Sequence, residues 1–484
     1  MKKVLYTLFA FAIVFSFVPS MEASDSRPIT FDDFIRIKRI SDPQISPQGD
    51  KIAFVITVMD TETNTSNSDI WIKAIEGGKP WQLTSSPKSD SNPRWSPDGK
   101  KIAFISTRKG TPQVWMIESG GGEAYPLTNI STGATGVIWS PSGEHLAFIS
   151  SVYPDCLDDD CNSKRNEAKE KSLVKAQLFD ELLFRHWNAW RDDTRSHVFV
   201  TPSDGGNVRD LSPGDSDVPP LSLGSRNDYA FSPDGKEICF VRNTDPELKL
   251  GLGTNNDLFI SSIHGGDVIK ITENRANDNS PHYSPDGRHI AYRAMKRPGF
   301  EADKYGLMLY DRKTKQFANL TEKLDASVGE IVWSRDSSYI YITFEEQGRT
   351  VLARVSIQGQ DTVRILDGHT IGSLQLSPDG GKFFFLKQGI ASPSEVCAFD
   401  LASKTLMPIT NTNDSVLSDL AMNPAEEFWF DGAENDKVHG FLLKPPHFDP
   451  GKKYPLVMLI HGGPQGAWHD NFHYRWNAQM FASP

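Results

Sequence analysis

Seven times this chain writes the same short sentence: an apolar residue ending one strand, a Ser-Pro-Asp-Gly turn, and a second strand. The copies are ISPQGDKIAFV with Ser46, WSPDGKKIAFIS with Ser96, WSPSGEHLAFIS with Ser140, FSPDGKEICFV with Ser232, YSPDGRHIAYR with Ser284, WSRDSSYIYIT with Ser334 and LSPDGGKFFFL with Ser377. Their serines lie 50, 44, 92, 52, 50 and 43 residues apart, and apart from the 92 the mean is about 48, the scale of a propeller blade. Proline pre-sets φ at the second position of a turn and glycine accepts a positive φ, so each copy must reverse the chain. The residues that follow, such as KIAFIS, are β-branched and aromatic strand formers.

A second strand–turn–strand accompanies each copy. It begins at Asp69, Gln113, His197, Asp257, Leu307, Leu352 and Val396. Two hairpins make four strands, and seven such units predict an all-β seven-bladed β-propeller over residues 24–415. The repeat is scaffold, so no residue of the turns is assigned to catalysis.

The 92-residue interval equals one repeat plus roughly 45 residues, which predicts an insertion at about 151–195. Within it, Leu173, Ala176, Leu178, Leu182 and Leu183 approximate a helical period, so the second half is expected to be helix. Insertions on repeat proteins gather on the working face. Glu181, Arg185, His186, Trp187 and Trp190 are therefore candidates to face a ligand; the alternative is that the tryptophans pack on the propeller and the charges are solvated.

After the last repeat the pattern changes, and residues 416–484 contain no such turn. EEFWFDG and VHGFLLKP read as a hairpin. YPLVMLI, residues 454–460, is a continuous apolar run, as expected of a strand buried on both faces of an α/β sheet. It stops at His-Gly-Gly-Pro. A strand followed by such a loop is where α/β-hydrolases place part of an oxyanion hole, because glycine lets a backbone N–H approach a developing negative charge. Gly463 is the first candidate donor and Gly462 the second; the alternative is a tight turn and nothing more.

Composition bounds the rest. At 484 residues more than one domain is expected. A net charge of −11 without a basic patch excludes a nucleic-acid partner. Lys2 and Lys3, an uncharged run over residues 4–18 and small residues near 20–24 read as an export signal over residues 1–23, which predicts a periplasmic or extracellular protein with no stable membrane insertion after cleavage. In such a compartment Cys156 and Cys161 can pair locally. The acids around them lack the spacing of a calcium loop, and Cys239 and Cys397 read as buried strand residues.

The repeats, the signal and KKYPLVMLIHGGPQGAW followed by YRWNAQMFA together resemble the prolyl oligopeptidase family of serine peptidases. LFRHWNAWRDDTRSHVFV resembles its dipeptidyl peptidase 5 and acylaminoacyl-peptidase branch in particular. The resemblance implies a propeller capping a catalytic domain, oligopeptide substrates cleaved through an acyl-enzyme, and neither metal nor cofactor. It implies the oxyanion role for Gly463, and an acidic residue of the insertion, here Glu181, holding the substrate's free amine. A homodimer of the intact parent is left open.

Hydrolases of this fold carry Ser, Asp and His in that order after the oxyanion loop, the Ser in Gly-x-Ser-x-Gly. No such motif occurs; GDSDV around Ser216 comes nearest. His461, His469 and His473 precede the place of a triad base, and His461 is expected to hold the loop. The chain is therefore expected to be the truncated start of an α/β-hydrolase domain behind a propeller, inactive by itself. The alternative reading is a non-catalytic Tol-type propeller that binds a partner.

Overall fold

The computed structural model describes residues 26–483 apart from 181, 226, 227, 360 and 464; the expected export signal lies outside the described residues. The chain folds as a β-propeller. Five four-stranded antiparallel sheets and one seven-stranded sheet follow one another along the chain. The first is built from Arg39–Ile45, Lys51–Asp60, Thr65–Ala74 and Trp81–Gln82. In the seven-stranded sheet one long strand, Thr362–Leu376, is shared: its first half pairs with Arg349–Ser356 and its second with Lys382–Gly389.

Each Ser-Pro-Asp-Gly turn joins the first strand of a unit to the second, and the polar residues carry the turn. The serine hydroxyl donates to the aspartate two residues on, at 2.6 Å for Ser96–Asp98 and 2.7 Å for Ser334–Asp336. The same oxygen accepts from the backbone N–H five residues on, at 2.9 Å for Lys101 and Lys382. Glycine takes the positive φ, 72° at Gly99. The sixth copy has no glycine there, and Ser337 adopts φ 59° instead. Trp95, Trp139 and Trp333, each just before its serine, donate Nε1 to a carbonyl of the preceding sheet, at Gln44, Arg94 and His282, over 2.9–3.0 Å.

The strands bury both faces because each sheet packs on the next. Ile70, Ile72 and Ala53 of the first sheet meet Trp95, Phe104 and Trp115 of the second. Ile52, Phe54 and Ile56 of that same first sheet meet Phe384, Val396 and Ala398 of the last, which closes the ring. Two polar contacts reinforce the closure. Lys38 N–H donates to Asn413 Oδ1 and Asn413 Nδ2 donates to Lys38 O, both at 2.9 Å. Arg27 forms an isolated parallel bridge with Leu420. Cys239 and Cys397 are buried free thiols on strands.

Two local expectations are corrected. The helix of the insertion is Asp159–Lys171, in its first half, capped by the Asp158 side chain and stapled by a Cys156–Cys161 disulfide. Residues 173–180, 182 and 183 are not helical, and Leu173 and Leu178 are almost fully exposed. Their apolar period has no surface to lie on, and periodicity without burial does not hold a helix. The run 454–460 is likewise not a strand. Leu456, Val457, Met458 and Ile460 are exposed, because no strand among the described residues pairs with it or covers its faces. Among the described residues no helix is long and apolar enough to cross a membrane.

Candidate active-site loop and the face it occupies

Successive strands of a unit are antiparallel, so the turns between first and second strands lie at one end of the propeller and those between second and third at the other. The C-terminal segment docks at the second end. Asp470 N–H donates to Gly348 O at 2.8 Å, and its Oδ1 accepts from Ile390 N–H at 2.8 Å. Its carbonyl accepts from Thr370 Oγ1 at 2.6 Å, and its Oδ2 accepts from Arg349 Nε at 3.2 Å. Gly348 and Ile390 both sit in turns between second and third strands. Arg349 also pairs with Glu427 of the hairpin Glu426–Asp431/Lys437–Leu442. His469 Nε2 lies 3.0 Å from Glu345. That pairing raises the His469 pKa, against its partial burial, and lowers the carboxylate's. Beyond it, Phe472 is buried against Phe34 and Tyr474, and the Arg39 guanidinium lies 4.3 Å over the Tyr474 ring.

This anchoring presents the His-Gly-Gly loop in the open. His461 Nδ1 donates to Gly462 O at 2.8 Å, and Trp468 Nε1 donates to Leu459 O at 3.1 Å across the base of the loop. Gly463 has φ 142°, a region that favours glycine; a Cβ there would stand 2.7 Å from Gln465 N. Around Gly462 a Cβ would meet nothing. Both glycines are exposed.

The insertion leaves the propeller between His145–Val152 and Arg195–Pro202, a second and a third strand, and so emerges at the same end. Arg185–His186 pairs with Ala189–Trp190 in a small hairpin, with Arg185 Nη1 donating to Trp187 O at 2.6 Å. Trp187 is 79% exposed, and Trp190 stacks on Phe179 at 5.6 Å within the insertion instead of packing on the propeller. Lys169–Asp192 at 3.0 Å and Arg195–Asp215 at 2.8 Å tether its base. Glu181 lies outside the described residues. Arg185 and His186 thus share an end of the propeller with Gly462 and Gly463. Among the described residues no hydrogen bond or ion pair joins the two groups. The anchors Arg349 and Asp470 escaped sequence reading, since neither stands in a motif. No group of three or more His, Cys, Asp or Glu able to hold a metal occurs among the described residues.

A model of the TolB β-propeller domain, PD40, matches residues 36–167. Dipeptidyl-peptidase 5 of Porphyromonas gingivalis is 27% identical over 492 residues, covering 100% of this chain and 70% of the relative. Dipeptidyl-peptidase 5 of Arthroderma otae is 30% identical over 353 residues, covering 66% of this chain and 47% of the relative. Among solved structures, Pyrococcus horikoshii acylaminoacyl peptidase superposes with a TM-score of 0.71 at 20% identity, covering 94% of this chain and 65% of that one. The β-propeller domain of the Trilobed protease from Pyrococcus furiosus gives 0.52 at 16% identity, covering 78% and 97%. The chain therefore spans 70% of the bacterial relative and just under two thirds of the archaeal structure.

Proposed function

We propose that the chain belongs to the prolyl oligopeptidase family, on its dipeptidyl-peptidase 5 and acylaminoacyl-peptidase branch, and that it is the seven-bladed propeller and opening catalytic segment of an exported serine peptidase. The two halves of the seven-stranded sheet count as separate blades in this reading. The substrate is a short peptide attacked near its N-terminus, and the reaction passes through an acyl-enzyme. The nucleophile, acid and base come from sequence outside these 484 residues, which hold no Gly-x-Ser-x-Gly, so the chain alone turns nothing over.

The Gly463 N–H, with Gly462 behind it, donates to the oxygen that becomes negative on attack; one such donor is worth about 3–4 kcal/mol in the transition state. Arg185 and His186, together with Glu181 of the insertion, recognise the peptide's end. What supports this is that Arg185, His186, Gly462 and Gly463 share an end of the propeller, and above all a relative whose similarity covers 100% of this chain, the 454–468 segment included. A binding propeller has no use for that segment, although the PD40 match over residues 36–167 suits it equally well.

The test is hydrolysis of free-amine and N-acetylated dipeptide reporters by the intact parent. Turnover of one class is expected, with Gly463→Pro abolishing it while the propeller still melts as before. Absence of hydrolysis on both reporters, or full activity in Gly463→Pro, would favour the binding propeller.

A further inference from the structure

At the end of the propeller away from the C-terminal segment, the Ser-Pro-Asp-Gly turns surround a cavity of about 360 Å³. Its wall mixes polar and apolar surface, the apolar part made by Pro47, Pro97, Pro141 and Pro378 with Trp95 and Trp139. Both indoles already spend their N–H on backbone carbonyls. Two polar side chains of the wall keep donors free. Arg335 stands where six of the seven copies have proline. Its Nε and Nη2 donate to Ser377 O at 3.2 and 3.1 Å, and Nη2 also to Leu376 O at 2.7 Å. Among the described residues its Nη1 has no partner, and no carboxylate lies within ion-pair distance of it. Gln375 also lines the cavity, and its carboxamide makes no hydrogen bond among the described residues. The other arginine of the wall, Arg94, is neutralised by Asp42, whose two oxygens lie 2.9 Å from Nη1. The cavity thus carries an arginine that pairs with no carboxylate, though Asp379 stands near enough to favour its charge, together with a free amide donor and a ring of prolines and tryptophans.

We propose that this mouth binds the C-terminal carboxylate of a peptide whose last side chain is apolar, the carboxylate on Arg335 Nη1 and Gln375 and the side chain among the prolines and tryptophans. A planar guanidinium suits a carboxylate, charge-assisted hydrogen bonds are the stronger kind, and a single positive charge matches a monoanion. A charged headgroup alone would leave the prolines and tryptophans of the wall unused. The inference stands apart from the peptidase reading, because it concerns binding by these 484 residues and needs no turnover.

The experiment is calorimetric titration of the chain with N-acetyl-Ala-Ala-Ala-Leu as its free acid, as its C-terminal amide, and with acetate and inorganic phosphate alone. The acid is expected to bind at least about tenfold more tightly than the amide and than either small anion. Arg335→Pro restores the residue of the other turns, and the Arg335 N–H makes no hydrogen bond it would lose, so the fold should persist. That variant and Arg335→Gln should erase the preference, Arg335→Lys should keep part of it, and Gln375→Leu should reduce it. Equal binding of acid and amide, a preference that survives Arg335→Pro, or phosphate binding as tightly as the peptide acid would overturn the proposal.

Discussion

Asn413 is the side chain on which the closure of the ring can be measured. It is 1% exposed and makes two reciprocal 2.9 Å hydrogen bonds to the backbone of Lys38, 375 residues away. Asn413→Ala removes both. Each such bond contributes about 1 kcal/mol net, and leaving partly buried partners unmade adds to it, so a loss of about 2–3 kcal/mol is expected. For an ordered chain of this size that lowers the melting temperature by only about 2 °C, because the unfolding entropy scales with length. Hydrogen exchange reads the effect more sharply. Opening at the seam should become on the order of fiftyfold easier, accelerating exchange at Lys38 and in the Ile40–Phe54 layer, while amides around Phe104 in the second sheet keep their protection. The apolar contacts of Phe54 and Phe384 remain, so the ring should loosen rather than unfold. Unchanged exchange at Lys38 would refute the reasoning and leave closure to the apolar layer alone.

Trp333→Phe leaves the His282 carbonyl without its 3.0 Å donor and opens a small void, for an expected loss of about 2 kcal/mol in urea unfolding. Replacing Cys156 and Cys161 by serine removes a staple across a separation of 5 residues, worth about 2 kcal/mol locally; trypsin should cut faster between residues 159 and 192 while the propeller's melting is unchanged. Asp278 is fully buried with Oδ2 unpartnered, and burial pushes its carboxyl up to about 7. A carboxyl raised in the folded state costs nothing below the unfolded value near 4, then destabilises increasingly until the folded value is passed. Asp278→Asn should therefore gain on the wild type as pH rises from about 4 to about 7, by up to about 4 kcal/mol, and melting curves that stay parallel across that range would contradict it.

What could be read from the residues alone is what short-range chemistry dictates. A serine that bonds an aspartate two residues on, a proline with a fixed φ and a glycine with a positive one make the same turn wherever they occur, so seven copies predict a repeat of β units and an insertion in the third. The Cys156–Cys161 pair, five residues apart, is local in the same sense. The polar anchors were not legible. Asp470 becomes a clamp only because folding brings Gly348, Thr370 and Ile390 around it, and Arg335 faces a cavity only because turns from distant repeats converge. Where the pattern misled, at Leu173, Leu178 and residues 454–460, the apolar side chains were as expected but, among the described residues, no surface stands opposite them. Turn geometry is decided within a few residues of chain. Burial, charge compensation and which loops share an end of the propeller depend on groups hundreds of residues apart, so only the folded ring could decide them.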